Sequence, residues 1–312
     1  MANNIYIPYC NPVPFYQVGV PPVAGKNFIH LDEDWFSAQI LDWEEKISYF
    51  QPWQQTDVVK LQVQANFDPI RLDLIDCMGA VVKTEDFQQK PTVIIGQPWR
   101  VYEVEMQLAD VTEGVYYFLI SAGFGEDVLQ FLSEPVDLKL KHPDTILYSY
   151  KNSINSLDVV YATGIQFGFR CETIIGEYVP GVKSTVYEDQ VLNLVELSAY
   201  PFDQFKLKVG GSYGVPNWVA KKVNMIFCND FVLLDGRQYV GTDGTKLEPN
   251  RADRYPMVGW SMDIRPASNR FSGIYDTTFN DETAVTYNIE AGIFGTMNDL
   301  PSNNQIVIIE RK

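Results

Sequence analysis

Histidine is nearly absent from this chain of 312 residues, which holds only two, and its four cysteines stand far apart at Cys10, Cys77, Cys171 and Cys228. His30 and His142 each stand alone, and no H-E-x-x-H run exists to build a zinc site on a helix. Without any C-x-x-C pair, neither a zinc knuckle nor a disulfide-dense scaffold is indicated. The cysteines read as buried free thiols, which suits folding in a reducing compartment. Basic residues are scarce as well: 24 Lys and Arg face 40 Asp and Glu, for a net charge of −16. A surface that follows a phosphate backbone needs clustered cations to displace counterions, so nucleic acid is excluded as a partner. The acid excess is heavier in residues 1–141 than in 142–312 and reads as solvation of the first half.

Long apolar runs are missing too. Ala2 to Gly25 carries no charge, yet Pro8, Pro12, Pro14, Pro21 and Pro22 would break a helix repeatedly, and no basic stretch leads it. Neither a membrane span nor a signal peptide fits; the segment reads as an extended arm. Its aromatics, Tyr6, Tyr9, Phe15 and Tyr16, are costly to leave in water, so the arm is expected to lie on its own chain or, preferably, on a neighbour. These four and Trp218 are the expected assembly contacts.

Motifs that carry chemistry are equally thin. Gly210-Gly211-Ser212-Tyr213-Gly214 precedes a helix, where backbone amides attract anions, but G-x-x-x-x-G-K-[ST] is not there and the run reads as a plain turn. Asp32-Glu33-Asp34, Glu188-Asp189 and Asp243-Gly244 lack the spacing of a calcium loop and read as solvated turn acids. A glycosidase needs two carboxylates at no fixed spacing, and among 40 acids none stands out as a pair. The expectation is a chain with no catalytic residue, no metal and no cofactor. Trp53, Trp99, Trp218 and Trp260 could stack on a sugar ring, with burial in a core as the competing reading.

What the chain does have is apolar and aromatic mass: 46% hydrophobic residues and 13% aromatics, enough for two cores of ordinary domain size and of a kind that suits pleated sheets. Residues 1–56 form the arm and a connector, including the unperiodic stretch Asp32–Tyr49. From Asp57, DVVKLQVQ and PIRLDLIDCMG alternate apolar with polar residues, and Arg100–Leu108 pairs with Gly114–Gly123 as a hairpin. With strands at Val128–Leu132 and Val136–Leu140, residues 57–141 hold six or seven, the spacing of an immunoglobulin- or fibronectin-like β-sandwich.

A boundary at His142-Pro143-Asp144 opens a second β-rich domain, 142–312. Gly164–Glu172 and Phe205–Gly211 alternate well, and Asp235-Gly236 between two apolar runs is a strong hairpin signal. One short amphipathic helix follows Pro216, with Trp218 or Val219, Val223, Ile226 and Phe227 at helical spacing. Gly273–Ser302 reads as long loops that end in a strand at Gln305–Glu310. The fold class is therefore all-β, mainly antiparallel.

Tyr187–Gln190, Leu197–Pro201, Lys206–Gly211 and Gly214–Trp218, followed by Arg254–Trp260, Ile264–Ala267 and Asn269-Arg270, resemble proteins encoded among phage and prophage structural genes. The resemblance spans 145–272. It implies a virion component made in the host cytoplasm, most plausibly a distal tail or baseplate adaptor that forms a ring with itself and with neighbouring virion proteins. The arm's prolines argue against membrane insertion, and the tryptophans leave a host-surface glycan as a further candidate partner. The competing functions are a capsid or capsid-decorating protein with jelly rolls, a carbohydrate-binding adhesin, and a hydrolase with scattered acids.

Overall fold

The computed structural model describes residues 4–18, 49–90, 99–123, 128–153, 158–188, 192, 194–212, 214–242, 246–250 and 257–267. The connector before Tyr49, the loops of Gly273–Ser302, the strand at Gln305–Glu310 and His30 lie outside them. The described part is a mostly antiparallel β protein with one α-helix. It belongs to one compact unit, Met1–Asn269, and holds two apolar cores, one drawn from residues between Ile7 and Leu138 and the other from residues between Ile146 and Ile264 together with Cys10 and Tyr49.

The first core draws its residues from the strands of two sheets. In one, the order is β1 (Ile5–Tyr6), β4 (Val58–Ala65), β8 (Arg100–Gln107), β7 (Gln88–Gln89). In the other, β2 (Phe15–Gln17), β10 (Leu129–Ser133), β9 (Gly114–Ala122), β11 (Val136–Lys139) and β3 (Gln51–Gln54) run side by side, with β5 (Ile70–Asp76) on β9 and β6 (Val81–Asp86) on β5. Alternation chooses the buried face: Val59, Leu61, Val63 and Ala65 of β4 are fully buried, as are Phe118, Ile120 and Ala122 of β9.

The amino-terminal arm is part of this body. Ile5 pairs with Ala65 and Phe15 with Ser133, so the arm supplies a strand to each sheet. Cys10 and Val13, between those strands, and Phe15, at the start of β2, are buried. Residues 4–18, the described part of the arm, dock on their own chain. Pro8, Pro12 and Pro14 fall between β1 and β2, where no ladder bond is needed, and Pro21 and Pro22 lie outside the described residues.

The second core fills a sheet that closes on itself. Its strands run β14 (Leu194–Val209), β13 (Phe167–Glu188), β12 (Thr145–Lys151), β15 (Phe231–Leu234), β16 (Arg237–Gly241), β18 (Gly259–Pro266), β17 (Glu248–Asn250), and β18 pairs back onto β14. Closure removes the open edges along the shared rungs. Helix α1 (Asn217–Ile226) presses Trp218, Val219, Val223 and Ile226 into this core. Between β15 and β16, Asp235 and Gly236 both take positive φ, 45° and 82°, as a primed two-residue turn requires.

Candidate functional site

Of the candidates for chemistry, Asp32-Glu33-Asp34, Asp189 and Asp243-Gly244 lie outside the described residues. His142 is buried, with Nε2 2.9 Å from the Asp137 carbonyl. Among the described residues, no group of three or more His, Cys, Asp and Glu side chains could hold a metal ion. Gly210-Gly211-Ser212-Tyr213-Gly214 also satisfies the Gly-x-Ser-x-Gly spacing of a nucleophile elbow, between a strand and a helix. The backbone departs from that pattern: Gly210, Gly211 and Gly214 take positive φ, whereas Ser212, which the strained turn of an elbow would present, does not.

The cysteines are all free, two buried and two exposed. Burial pushes the thiols of Cys10 and Cys171 up to about 12, which makes them inert at neutral pH. Cys77 and Cys228 lie at the surface, against the expectation that all four are buried.

A buried polar cluster pins the arm to the second core. Lys222, only 1% exposed on α1, donates to the Tyr9 and Asn11 carbonyls and sits 4.1 Å from the centre of the Tyr9 ring. Asp158 accepts from the amides of Tyr9 and Cys10, and Tyr150 Oη donates to the Cys10 carbonyl at 2.6 Å. Burial lowers Lys222 to about 8, while the nearby Cys10 and Asp158 oppose the shift. The bonds from Lys222 and Tyr150 and those into Asp158 from the Tyr9 and Cys10 amides hold the arm's backbone in place, the work of a structural latch.

The part of the molecule that its own fold leaves unused is the β13–β14 hairpin. β12 pairs with β13 only as far as Glu172, and β18 pairs with β14 only from Phe205 onward. From Tyr178 to Glu188 and back from Leu194 to Gln204, the two strands form a ribbon with no third strand among the described residues. At about 3.3 Å per residue, the ribbon is roughly 33 Å long.

Directly opposed residues share a face. At the base, Ile175 opposes Leu207 and Tyr178 opposes Phe205, and Ile175, Leu207 and Phe205 all pack in the second core. The same face then runs out onto the ribbon through the pairs Pro180–Asp203, Val182–Pro201, Ser184–Ala199, Val186–Glu196 and Glu188–Leu194. Among the described residues, ten of the eighteen large apolar side chains that are exposed lie between Ile174 and Tyr200, so apolar exposure is concentrated here.

The root of the ribbon is anchored by charge. Glu177, at a register shift and with φ at 47°, pairs with Lys208 and with Lys206 at 3.9 Å. Lys208 holds the Glu177 carboxyl below its usual range. Tyr178 Oη donates to Asp203 at 2.8 Å across the strands, and Arg265 lies 3.7 Å over the Phe202 ring.

The expected assembly contacts are not brought together. Phe15 and Trp218 are built into the first and second cores, Tyr9 and Tyr16 are half-buried, and Tyr6 alone is exposed. Of the four tryptophans considered for sugar stacking, Trp53 and Trp218 are core residues, and Trp99 and Trp260 are half-buried. Set beside known proteins, the chain matches no family model, no curated protein and no solved structure.

Proposed function

We propose that this chain is a non-enzymatic structural subunit that works by assembling with other chains, in a bacteriophage virion at the distal tail or baseplate. The resemblance of residues 145–272 to phage structural proteins supplies the setting. The ribbon is the observation that carries the assembly reading. A two-stranded hairpin is at best marginally stable alone in water, and contiguous exposed apolar surface on a soluble chain marks a contact site. Buried polar groups such as Lys222, Asp158 and the pair Arg170–Asp57 bond to other parts of the chain.

Negative-stain imaging and sedimentation velocity of the purified full chain test this reading, with labelling of intact particles by an antibody raised against it. Rings or other closed assemblies and labelled tails are expected. A hydrolase activity abolished by replacing a single acid, or particles that lack the chain, would overturn it.

A further inference from the structure

We infer that a cavity beside the second core, at the carboxyl-terminal end of α1, binds a small uncharged aromatic molecule of the indole class that donates one hydrogen bond. The site does not depend on assembly or on the ribbon.

The cavity, about 310 Å³, is bounded by the last turn of α1, the residues just after it and strands β15, β16 and β18. A missing side chain opens it. Residues two apart on a strand share a face, so Gly241 falls on the face of β16 that sends Tyr239 into the second core. Gly241 has nothing to send. Its chain neighbours aside, a Cβ there would meet only Met262 Cε within 4 Å, at 3.9 Å. Val232, Tyr239 and Met262 of the second core, with Phe227 packed against it, give the cavity an apolar wall.

One polar group on this cavity is left over. Asn229, 9% exposed, lines it and spends both hydrogens of Nδ2 on the Met225 and Ile226 carbonyls, at 3.1 and 2.9 Å. Those bonds fix which arm of the amide is nitrogen, so Oδ1 is an acceptor, and it meets no donor among the described residues. A buried acceptor without a donor is costly, which favours a ligand that brings one. No lining residue carries a charge, so an anion or zwitterion would lose its water with no counter-charge in return. Size sets the rest. A dry cavity of roughly 150 Å³ takes one benzene ring, and a space about twice as large takes two fused rings, for which the Phe227 and Tyr239 rings offer edge or face contacts. An indole, with two fused rings and one N–H, meets each of these conditions.

Alkylation of the native full chain by iodoacetamide, read at each cysteine by mass spectrometry, tests the site with indole as the probe. Cys228 is exposed and lines the cavity, whereas Cys77, also exposed, lies in the turn between β5 and β6. Saturating indole should slow Cys228 several-fold and leave Cys77 unchanged, and calorimetric titration should give a Kd on the order of 1 mM or tighter. 1-Methylindole, which has no N–H to donate, should bind about tenfold more weakly; equal affinities would overturn the part given to Asn229. Gly241→Leu refills the cavity and should abolish both the heat of binding and the protection of Cys228, with the unfolding midpoint kept. Indole bound as tightly by a folded Gly241→Leu chain sits elsewhere and overturns the site. Cys228 alkylated at the same rate with and without indole, the result if water alone fills the cavity, overturns it whatever the variant does. Equal slowing of Cys77 and Cys228 would show non-specific binding and overturn it as well.

Discussion

Arg170 and Asp57, 113 residues apart, meet at the junction of the two cores as a two-point ion pair, Nε to Oδ2 at 2.7 Å and Nη2 to Oδ1 at 2.8 Å. Both side chains are buried, 7% and 2% exposed. Arg170 Nη1 donates to Thr145 Oγ1, and Asp57 also accepts from the Gln54 amide. Removing one partner strands the other charge away from water, so Arg170→Met should cost about 3–5 kcal/mol in urea unfolding. The double variant Arg170→Met with Asp57→Leu should recover much of that loss; a double variant as unstable as the two losses added together would contradict the account.

Lys222 gives the fold a pH signature. Its folded value of about 8 lies below the ~10.4 of an unfolded lysine, so between those values the unfolded chain holds the extra proton and stability rises with pH. The gain amounts to about 3 kcal/mol, is absent below about pH 8 and complete above about pH 10. Cys10 and Cys171, held protonated up to about 12, act in the opposite direction over part of that window. The measurement is therefore a difference: the stability of wild type minus that of Lys222→Met, followed from pH 7 to 10, should rise. A flat difference would show that Lys222 is not strained by burial.

Two glycines with positive φ should respond differently to alanine. A Cβ on Gly236 meets nothing within 4 Å, so Gly236→Ala carries only the left-handed backbone penalty of about 1–2 kcal/mol. On Gly214 it would lie 2.6 Å from the Met257 carbonyl carbon and 2.7 Å from the Val258 amide, backbone atoms that hold the pairing of Val215 with Val258. Thermal unfolding should show a clearly larger loss for Gly214→Ala.

Thiol titration of the native chain should find two fast cysteines, Cys77 and Cys228, with the other two appearing only on denaturation. Cys10 reacting at a comparable rate would mean that the arm opens readily.

Deleting residues 1–18 should lower the unfolding midpoint markedly, since it removes β1, β2 and the bonds from Lys222 and Tyr150 to the arm. A midpoint left in place would point to an arm that belongs on a neighbour after all.

Strands with one buried face were legible in the sequence: β4, β5, β8 and β9 lie where alternation puts them, as does α1. β6 was not, because Val81 and Val82 are exposed and the strand has no core side to pattern. The ribbon was hidden for the same reason. Only its root, up to Glu172 and from Phe205, reads as strand, while Gly176, Pro180 and Gly181 look like breakers. Its clearest trace in the sequence is a proline near the middle of each of two mixed apolar and polar stretches. The arm's lack of charge did show that it docks, but lack of charge cannot choose between a chain's own surface and another's.

The seat of Asn11 sets a clock on folding. Its carbonyl waits for Lys222, 211 residues further along the chain, while its side chain both donates to and accepts from the backbone of Gln62. Contacts of such sequence separation form late and slow a chain dominated by sheet pairing to the millisecond-to-second range. During synthesis the arm is therefore complete long before the helix that fastens it. A circular permutant that places residues 4–18 after β18 would remove that wait, and should fold faster with its final stability little changed.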